Sequence, residues 1–587
     1  MGNAVNCCTE KFVPRKDFDG TENLIVIRTK SKQEVYHSKI SDKEVHVIVP
    51  SSVYARQLIC SGENTELGEK IFERVISLQD RKDPKSDTYG LWPYYLEEKL
   101  EDMDCPDKNM AGFNSREMLE VLYNCGNRIN KGLKDKMFAS ITAACNVIIR
   151  RNEGVQYTNV AFMESLVLCC TGELTGNERL IKAGREKLKS SFGFICYQGS
   201  VFEHNSPCYS FLCIRDLGSI LKYVKDNDTL FYAGEINKYV WSVMAEHFDY
   251  NTLQLGGPQS RAYDDYLSKD NLEIIMTACG LLNCYSKHPL APEKLKLSET
   301  NAICPGEYIP FFSGEKKWRS SRRIIMHGFN HPYFAFSQII CHYRGEGFTL
   351  GTFNREELWN QRRPLLSYIE GEKKPYCFRV KCYHDGFDFS SAVLHCVQKE
   401  GNILGNINFS SDRGDTHIGL DLVKDATIEA EDIRIIFEIT GCTENISYKT
   451  TDHNIEITVG NVPVRISHIY THFGDFPTRI TSEINENYFR YSIILYSGKK
   501  RMIKLTELEE AISVFTVEMG RFAKTFKCRT EKNRNFLETK WITDKDELAL
   551  KTLKKAVPFK SNMYEDKQYI NGTELFKYTE MNGILEE

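Results

Sequence analysis

Residues 136–170 read KMFASITAACNVIIRRNEGVQYTNVAFMESLVLCC. In the first half, Met137, Ile141, Ala144, Cys145 and Ile148 recur at intervals of three and four, which is one face of an α-helix. A polar stretch with a glycine, NEGVQYT, breaks the run. The second half is apolar on more than one face, so its helix should be packed on two sides. The same pattern extends outward from about residue 65 to about 300, in LGEKIFERVISL, SREMLEVLYNC, ERLIKAGREKLKSSF, CIRDLGSILKYV, INKYVWSVMAEHF and LEIIMTACGLLNCY. A long series of short antiparallel helices builds a solenoid, a bundle or a closed α/α toroid. No fixed repeat of 30–45 residues is present, which weighs against the solenoid.

Upstream, LIVI and VHVIV are short β-branched runs, and residues 22–64 read as a small β-containing lead-in. After about residue 305 the pattern changes to β-branched and aromatic runs separated by turn residues, among them RVKCYHDG, SSAVLHCVQ, DIRIIFEIT, HNIEITVG and YFRYSIILY. Their spacing fits stacked antiparallel sheets. The expected division is a flexible N-terminus (1–21), the lead-in (22–64), a helical domain (65–304), an antiparallel β domain (305–525) and a C-terminal extension (526–587). The last 40 residues are polar and read as helical or frayed.

The 587-residue chain is 41% hydrophobic and 27% charged, which is the composition of a folded, soluble protein. A formal charge of −4 implies no broad polyphosphate-binding surface, so nucleic acid is not expected as a partner. The 20 cysteines are scattered, many inside apolar runs, with no CxxC pair and no zinc-ligand spacing. Reduced, buried thiols favour a reducing compartment, hence a cytoplasmic location. The opening MGNAVNCC has no apolar signal region. It resembles dual-acylated proteins, with Gly2 as a myristoylation acceptor and Cys7 and Cys8 as palmitoylation sites, although Asn6 stands where Ser or Thr is usual. Two acyl chains would hold the protein on the cytosolic face of a membrane.

Four stretches concentrate polar chemistry. Glu203-His204-Asn205-Ser206-Pro207-Cys208-Tyr209 precedes a helix that Ser206 or Asn205 is suited to cap. Gly257-Pro258-Gln259-Ser260-Arg261-Ala262-Tyr263-Asp264-Asp265-Tyr266 gathers an arginine, two tyrosines and two aspartates after a Gly-Pro turn. MHGFNHPYF carries His327 and His331 at the change from helices to strands. Trp359, Gln361 and Arg362 lie close enough to stack on and hydrogen-bond a sugar. His468, Tyr470 and His472 would share one face of a strand, without a third metal ligand in sight. The phosphate-cradling, dinucleotide, HExxH and GxSxG patterns are absent, and no cofactor or metal is implied.

A helical half, an Asn/Tyr segment, an Arg/Tyr segment, a His-bearing junction and a β half together resemble the α/α-toroid polysaccharide lyases, including the chondroitin, alginate and heparinase-like groups. The resemblance covers residues 65–520 as architecture. It implies an α+β chain, a helical α/α toroid followed by an antiparallel β-sandwich, that cleaves uronic-acid glycans by β-elimination. On that basis Asn205, Tyr209, Arg261, Tyr263 and one of His327 and His331 are the catalytic candidates. Glu203, Gln259, Trp359, Gln361 and Arg362 are the candidates for binding an acidic polysaccharide. The order His204-Asn205 reverses the usual signature. Two other readings stand beside this one. A glycoside hydrolase would use paired carboxylates from Glu203, Asp264 and Asp265. A membrane-tethered binding or scaffold protein would keep the fold without catalysis.

Overall fold

The computed structural model describes residues 14–29, 37–103, 105–327, 336–355, 361–414, 423–451 and 454–575, with two short strands, Lys577–Tyr578 and Leu585–Glu586, beyond them. The chain divides into two compact units, one of residues 1–191 and 219–234, the other of residues 192–218 and 235–587.

In the first unit the antiparallel strands Phe18–Asp19, Leu24–Arg28 and Glu44–Val47 form a small sheet. The VHVIV run is only half strand: from Ile48 the chain is helical as far as Ser61. Pro50 lies in that helix's first turn, where its fixed φ suits the helix and its missing N–H is no loss. The helices Thr65–Ser77, Asn109–Cys125, Lys131–Arg151 and Thr158–Thr175 follow. Asn64 and Asn130 cap two of them, accepting from the N–H groups of Leu67 and Leu133. The Thr158–Thr175 helix is buried nearly all round from Thr158 to Gly172. Between helices, Arg56 and Arg116 hold the fully buried Glu117 at 2.7 and 3.2 Å.

The helices Glu178–Gln198, Tyr209–Tyr223 and Asn227–His247 each cross from one unit to the other. In the second unit, Lys269–Cys279 is the last long helix, and antiparallel strands dominate from Ser320 onward. A nine-stranded sheet runs Arg479–Ile484, Tyr488–Lys504, Thr427–Thr440, Tyr376–His384, Leu365–Ile369, Phe348–Phe353, Phe336–Gly345, Ser320–His327, with Phe387–Asp388 paired to Tyr376–His384. A six-stranded sheet runs Ala392–Lys399, Asn402–Phe409, Ala511–Met519, Val462–Phe473, Asn454–Val459, Ile446–Thr450. Alternation along each strand sends one set of side chains inward. Phe378, Ile435, Phe437 and Tyr491 of the larger sheet share a single apolar core with Ile403, Ile457, Ile466 and Phe515 of the smaller.

Among its described residues, the polar C-terminal stretch is mainly strand, with one short helix at Phe559–Glu565. Lys527–Lys532, Phe536–Ile542, Glu547–Leu553, Lys567–Ile570 and Thr573–Glu574 make a five-stranded antiparallel sheet. FLETKWI and ELALKTL alternate, so only every second residue need be apolar. Leu537, Trp541, Leu548 and Leu550 are thereby buried with Val397, Leu404, Ile512 and Val514. In the Val462–Phe473 strand a register shift between His468 and Tyr470 breaks the shared face that simple alternation predicts.

Candidate functional site

The 203–209 stretch is irregular, lying between the Glu178–Gln198 and Tyr209–Tyr223 helices. Ser206 caps the second helix, its Oγ accepting from the Tyr209 N–H at 3.1 Å and donating to the Arg261 carbonyl at 2.6 Å. Asn205 is left-handed, with φ of 50°, a conformation asparagine tolerates better than most residues. Its Nδ2 donates to the carbonyls of Gly256 and Pro258 at 2.7 and 2.9 Å. Both amide hydrogens are therefore committed to the backbone, and Asn205 has none to offer a uronate carboxylate. Its buried Oδ1 has no hydrogen-bond partner among the described residues.

The 256–263 stretch is held from its other side by residues 361–363. Gln259 and Arg363 exchange backbone hydrogen bonds of 3.1 and 2.8 Å, and the Ala262 N–H donates to the Gln361 carbonyl at 2.8 Å. Close approach explains the glycines. A Cβ on Gly257 would meet Leu366 at 2.6 Å, and one on Gly351 would meet the Gly257 carbonyl oxygen at 1.8 Å. The Gln259 side chain is buried and donates to the Leu255 carbonyl at 2.9 Å. Arg362 donates to the carbonyls of Phe389, Ser390 and Ala392. These two binding candidates are thus tied into loop backbone.

Glu203, Tyr209, Arg261, Tyr263 and Gln361 come together. The buried Arg261 guanidinium donates to Glu203 at 3.1 Å and to Gln361 Oε1 at 2.9 Å, and lies 4.8 Å from the centre of the Tyr209 ring. The Tyr209 and Tyr263 hydroxyls are 2.8 Å apart. Tyr263 is 56% exposed, so the pair opens to the surface. Burial pushes the Tyr209 phenol well above its usual range, against the opposing pull of Arg261. Tyr209 is therefore protonated in the resting site. The Cys208 thiol is pushed up by burial as well.

Behind this cluster lie three fully buried histidines. His204 Nδ1 is 2.7 Å from Ser200 Oγ, and its Nε2 is 3.2 Å from His247 Nε2. His247 meets His342 edge-on at 4.9 Å between ring centres. Burial lowers His247 to about 4 and His342 well below the usual imidazole value, so both are neutral. His247 and His342 carry no sequence signal, since each sits in a regular element remote from the others in the chain. His327 ends a described strand but its side chain lies outside the described residues, as do His331, Trp359, Gly2, Cys7 and Cys8.

Residues 30–300 match the model of a domain family of unknown function, DUF8769. No curated protein sequence matches the chain. Among solved structures, heparinase III is similar at 9% identity over 86% of this chain and 82% of its own, with a TM-score of 0.46. The chondroitin AC lyase of Streptomyces coelicolor, in complex with chondroitin sulphate, is similar at 8% identity over 86% of this chain and 84% of its own, with a TM-score of 0.43. A glycoside hydrolase follows at 8% identity over 82% and 96%, with a TM-score of 0.26.

Beyond Tyr263 the site continues into charge. The Asp265 carboxylate pairs with Arg379 and lies 3.6 Å from Arg363. Glu438 pairs with Arg379 at 2.5 Å and with Arg490 at 2.6 Å. The two arginines hold the Glu438 carboxyl below its usual range against the effect of burial. Asp265 and Glu203 are thus each paired with arginine.

Proposed function

We propose that the chain is a polysaccharide lyase-like protein acting on a uronic-acid glycan, its helices arranged as an α/α toroid and its two large sheets stacked as a β-sandwich. The observation that carries this reading is the Tyr209–Tyr263 hydroxyl pair beside Arg261, half open to solvent. β-Elimination needs a group that takes the proton next to the carboxylate and a group that protonates the departing 4-linked oxygen. Tyr263 meets the substrate and, its own hydroxyl proton first released to solvent, takes the proton as a phenolate. Tyr209 keeps its own proton and donates a hydrogen bond to the Tyr263 phenolate oxygen, which stabilises the charge there before the proton is taken and after it is passed on. As the carbon–oxygen bond breaks and the carbon–carbon double bond forms, the abstracted proton passes from Tyr263 to the leaving oxygen. Because Asn205 is committed elsewhere, the substrate carboxylate falls to Gln361. Its Oε1 is taken by Arg261, which turns the amide hydrogens away from that arginine.

The test is the ultraviolet absorbance of the unsaturated uronate product, followed over a panel of uronic-acid polysaccharides. Wild type is expected to generate it, with Tyr263→Phe and Tyr209→Phe each slower by about 10²–10⁴-fold. Binding without turnover is a second reading, favoured by the charge balance of Arg261 against Glu203. A flat trace on every substrate from folded protein that still binds the glycans establishes it. Acylation of Gly2, Cys7 and Cys8 belongs to the proposal too, and the intact mass of the N-terminal peptide from a eukaryotic host decides it.

A further inference from the structure

The nine-stranded sheet ends on Arg479–Ile484, and among the described residues no strand pairs with its outer edge. Such an edge is a template for another strand unless proline, lysine, a bulge or an inward-pointing charge blunts it. None of these lies within RITSEI, whose pairing with Tyr488–Lys504 is regular throughout. Asn485 donates its N–H to the Tyr488 carbonyl at 3.0 Å. By alternation Glu483, Thr481 and Arg479 also turn their backbone groups toward the sheet, and those of Ile480, Ser482 and Ile484 point outward. Ile480 and Ile484 lie opposite Ile493 and Phe489, both in the apolar core, yet they remain 37% and 42% exposed. Tyr448, in the edge strand of the six-stranded sheet, is also exposed, with its ring 5.0 Å from that of Phe489. The core therefore stays open along this margin. On the other face Arg479 has no carboxylate partner among the described residues, and Glu483 meets Arg490 only loosely, at 3.9 Å.

We propose that this edge pairs with the same edge of a second copy of the chain, antiparallel about a two-fold axis through Thr481. Outward backbone groups must meet outward ones, so even-numbered residues can face only even-numbered residues across the axis. Among the registers this leaves, the one centred on Thr481 sets Ile480 against the partner's Ser482 and Arg479 against the partner's Glu483. The Arg–Glu pair then forms on both sides of the axis, in non-hydrogen-bonded positions where cross-strand side chains come closest. Each arginine gains the carboxylate it lacks within its own chain. The same register brings the exposed Ile480 and Ile484 of both copies together on the core side, beside Tyr448. An isologous contact of this kind closes on itself, so assembly stops at two. One strand and a narrow apolar strip bury less than a standard interface, so the dimer forms reversibly and depends on concentration. Neither tyrosine of the candidate site lies on this strand, and the pairing is independent of any turnover of glycan.

Sedimentation equilibrium of the full chain over a concentration series tests it. Wild type should show a monomer–dimer equilibrium that added salt weakens. Arg479→Glu sets like charges against each other across the axis and should weaken dimerisation about tenfold or more. Adding Glu483→Arg to that variant reverses both charges and should restore most of the loss, in proteins whose unfolding midpoints show them folded. Thr481→Cys reads the register directly. Only at the axis does a residue face its own copy, so in a glutathione redox buffer Thr481→Cys should form a covalent dimer on a non-reducing gel. Glu483→Cys and wild type, which carries the native cysteines, should not. A chain that stays monomeric at every concentration overturns the pairing, including one whose edge instead takes a strand from a different protein. A dimer that Thr481→Cys does not link overturns it as well, because the copies then meet elsewhere.

Discussion

Arg261 is enclosed by Glu203, Gln361 and the Tyr209 ring, so its removal takes one ion-pair partner from the nearly inaccessible Glu203 carboxylate. Breaking a buried pair from one side typically costs about 3–5 kcal/mol. Arg261→Ala is expected to lose stability of that order in a denaturant titration. Tyr263→Phe removes one hydroxyl at an exposed position, and its unfolding midpoint should stay within about 0.5–1.5 kcal/mol of wild type. That contrast makes Tyr263 the better probe of chemistry, since a rate lost there is not a fold lost. At this scale the sequence is legible where the partner is local. Ser206 caps the helix that starts three residues later, as its residue type foretells. It is not legible where the partner is distant. Asn205 and Gln259 look like free amides in the sequence, yet the hydrogens of Asn205 go to carbonyls more than 50 residues away. The His204–His247 contact spans 43 residues, and no spacing rule points to it.

Elements were legible in proportion to their periodicity. The 136–151 and 160–170 runs are helices because apolar residues recur at helical spacing, and DIRIIFEIT is strand because it alternates. VHVIV misleads because β-branched residues suit a strand while Pro50 suits a helix start, and the helix wins from Ile48. The C-terminal strands misread because an edge sheet buried on one face needs few apolar residues. What no periodicity reveals is how closely one element approaches another. Gly351, in the Phe348–Phe353 strand, lies so near the Gly257 carbonyl that a methyl group would overlap it. Gly351→Ala must push the 256–263 stretch off the sheet, carrying Arg261 and Tyr263 with it. A loss of roughly 1–3 kcal/mol is expected, together with a loss of the proposed glycan binding that a mere stability change would not cause. Gly193 supplies the control: it lies exposed in the Glu178–Gln198 helix with open space around the added Cβ. Gly193→Ala should raise stability by about 0.5–1 kcal/mol and leave binding unchanged.

For the molecule as a whole, buried titratable groups make stability depend on pH in two opposed ways. His247 binds its proton only near pH 4 when folded, against about 6.5 in an unfolded chain. Its neutral form is what the fold accepts, so the stability is present above about pH 6.5 and is lost as pH falls toward 4. The slope is about 1.4 kcal/mol per pH unit for this one group. Asp566, buried against His395 with its carboxyl 3.3 Å from the imidazole, is pushed by burial up to about 8. Its stability is present below the unfolded carboxyl range, near pH 4, and is lost as pH rises toward 8. Between about pH 4 and 6.5 the two slopes have opposite signs and offset each other, so the wild-type curve alone hides both. Difference curves separate them. The stability of His247→Gln, measured by denaturant unfolding at several pH values, should fall less steeply than that of wild type on the acid side by the slope of one proton, and should run parallel to it above pH 7. Asp566→Asn should do the reverse, running parallel below pH 4 and gaining on wild type as pH rises to 8. If His247→Gln tracks wild type throughout the acid limb, the imidazole is solvated in the folded protein and the three-histidine layer behind the tyrosines is not dry.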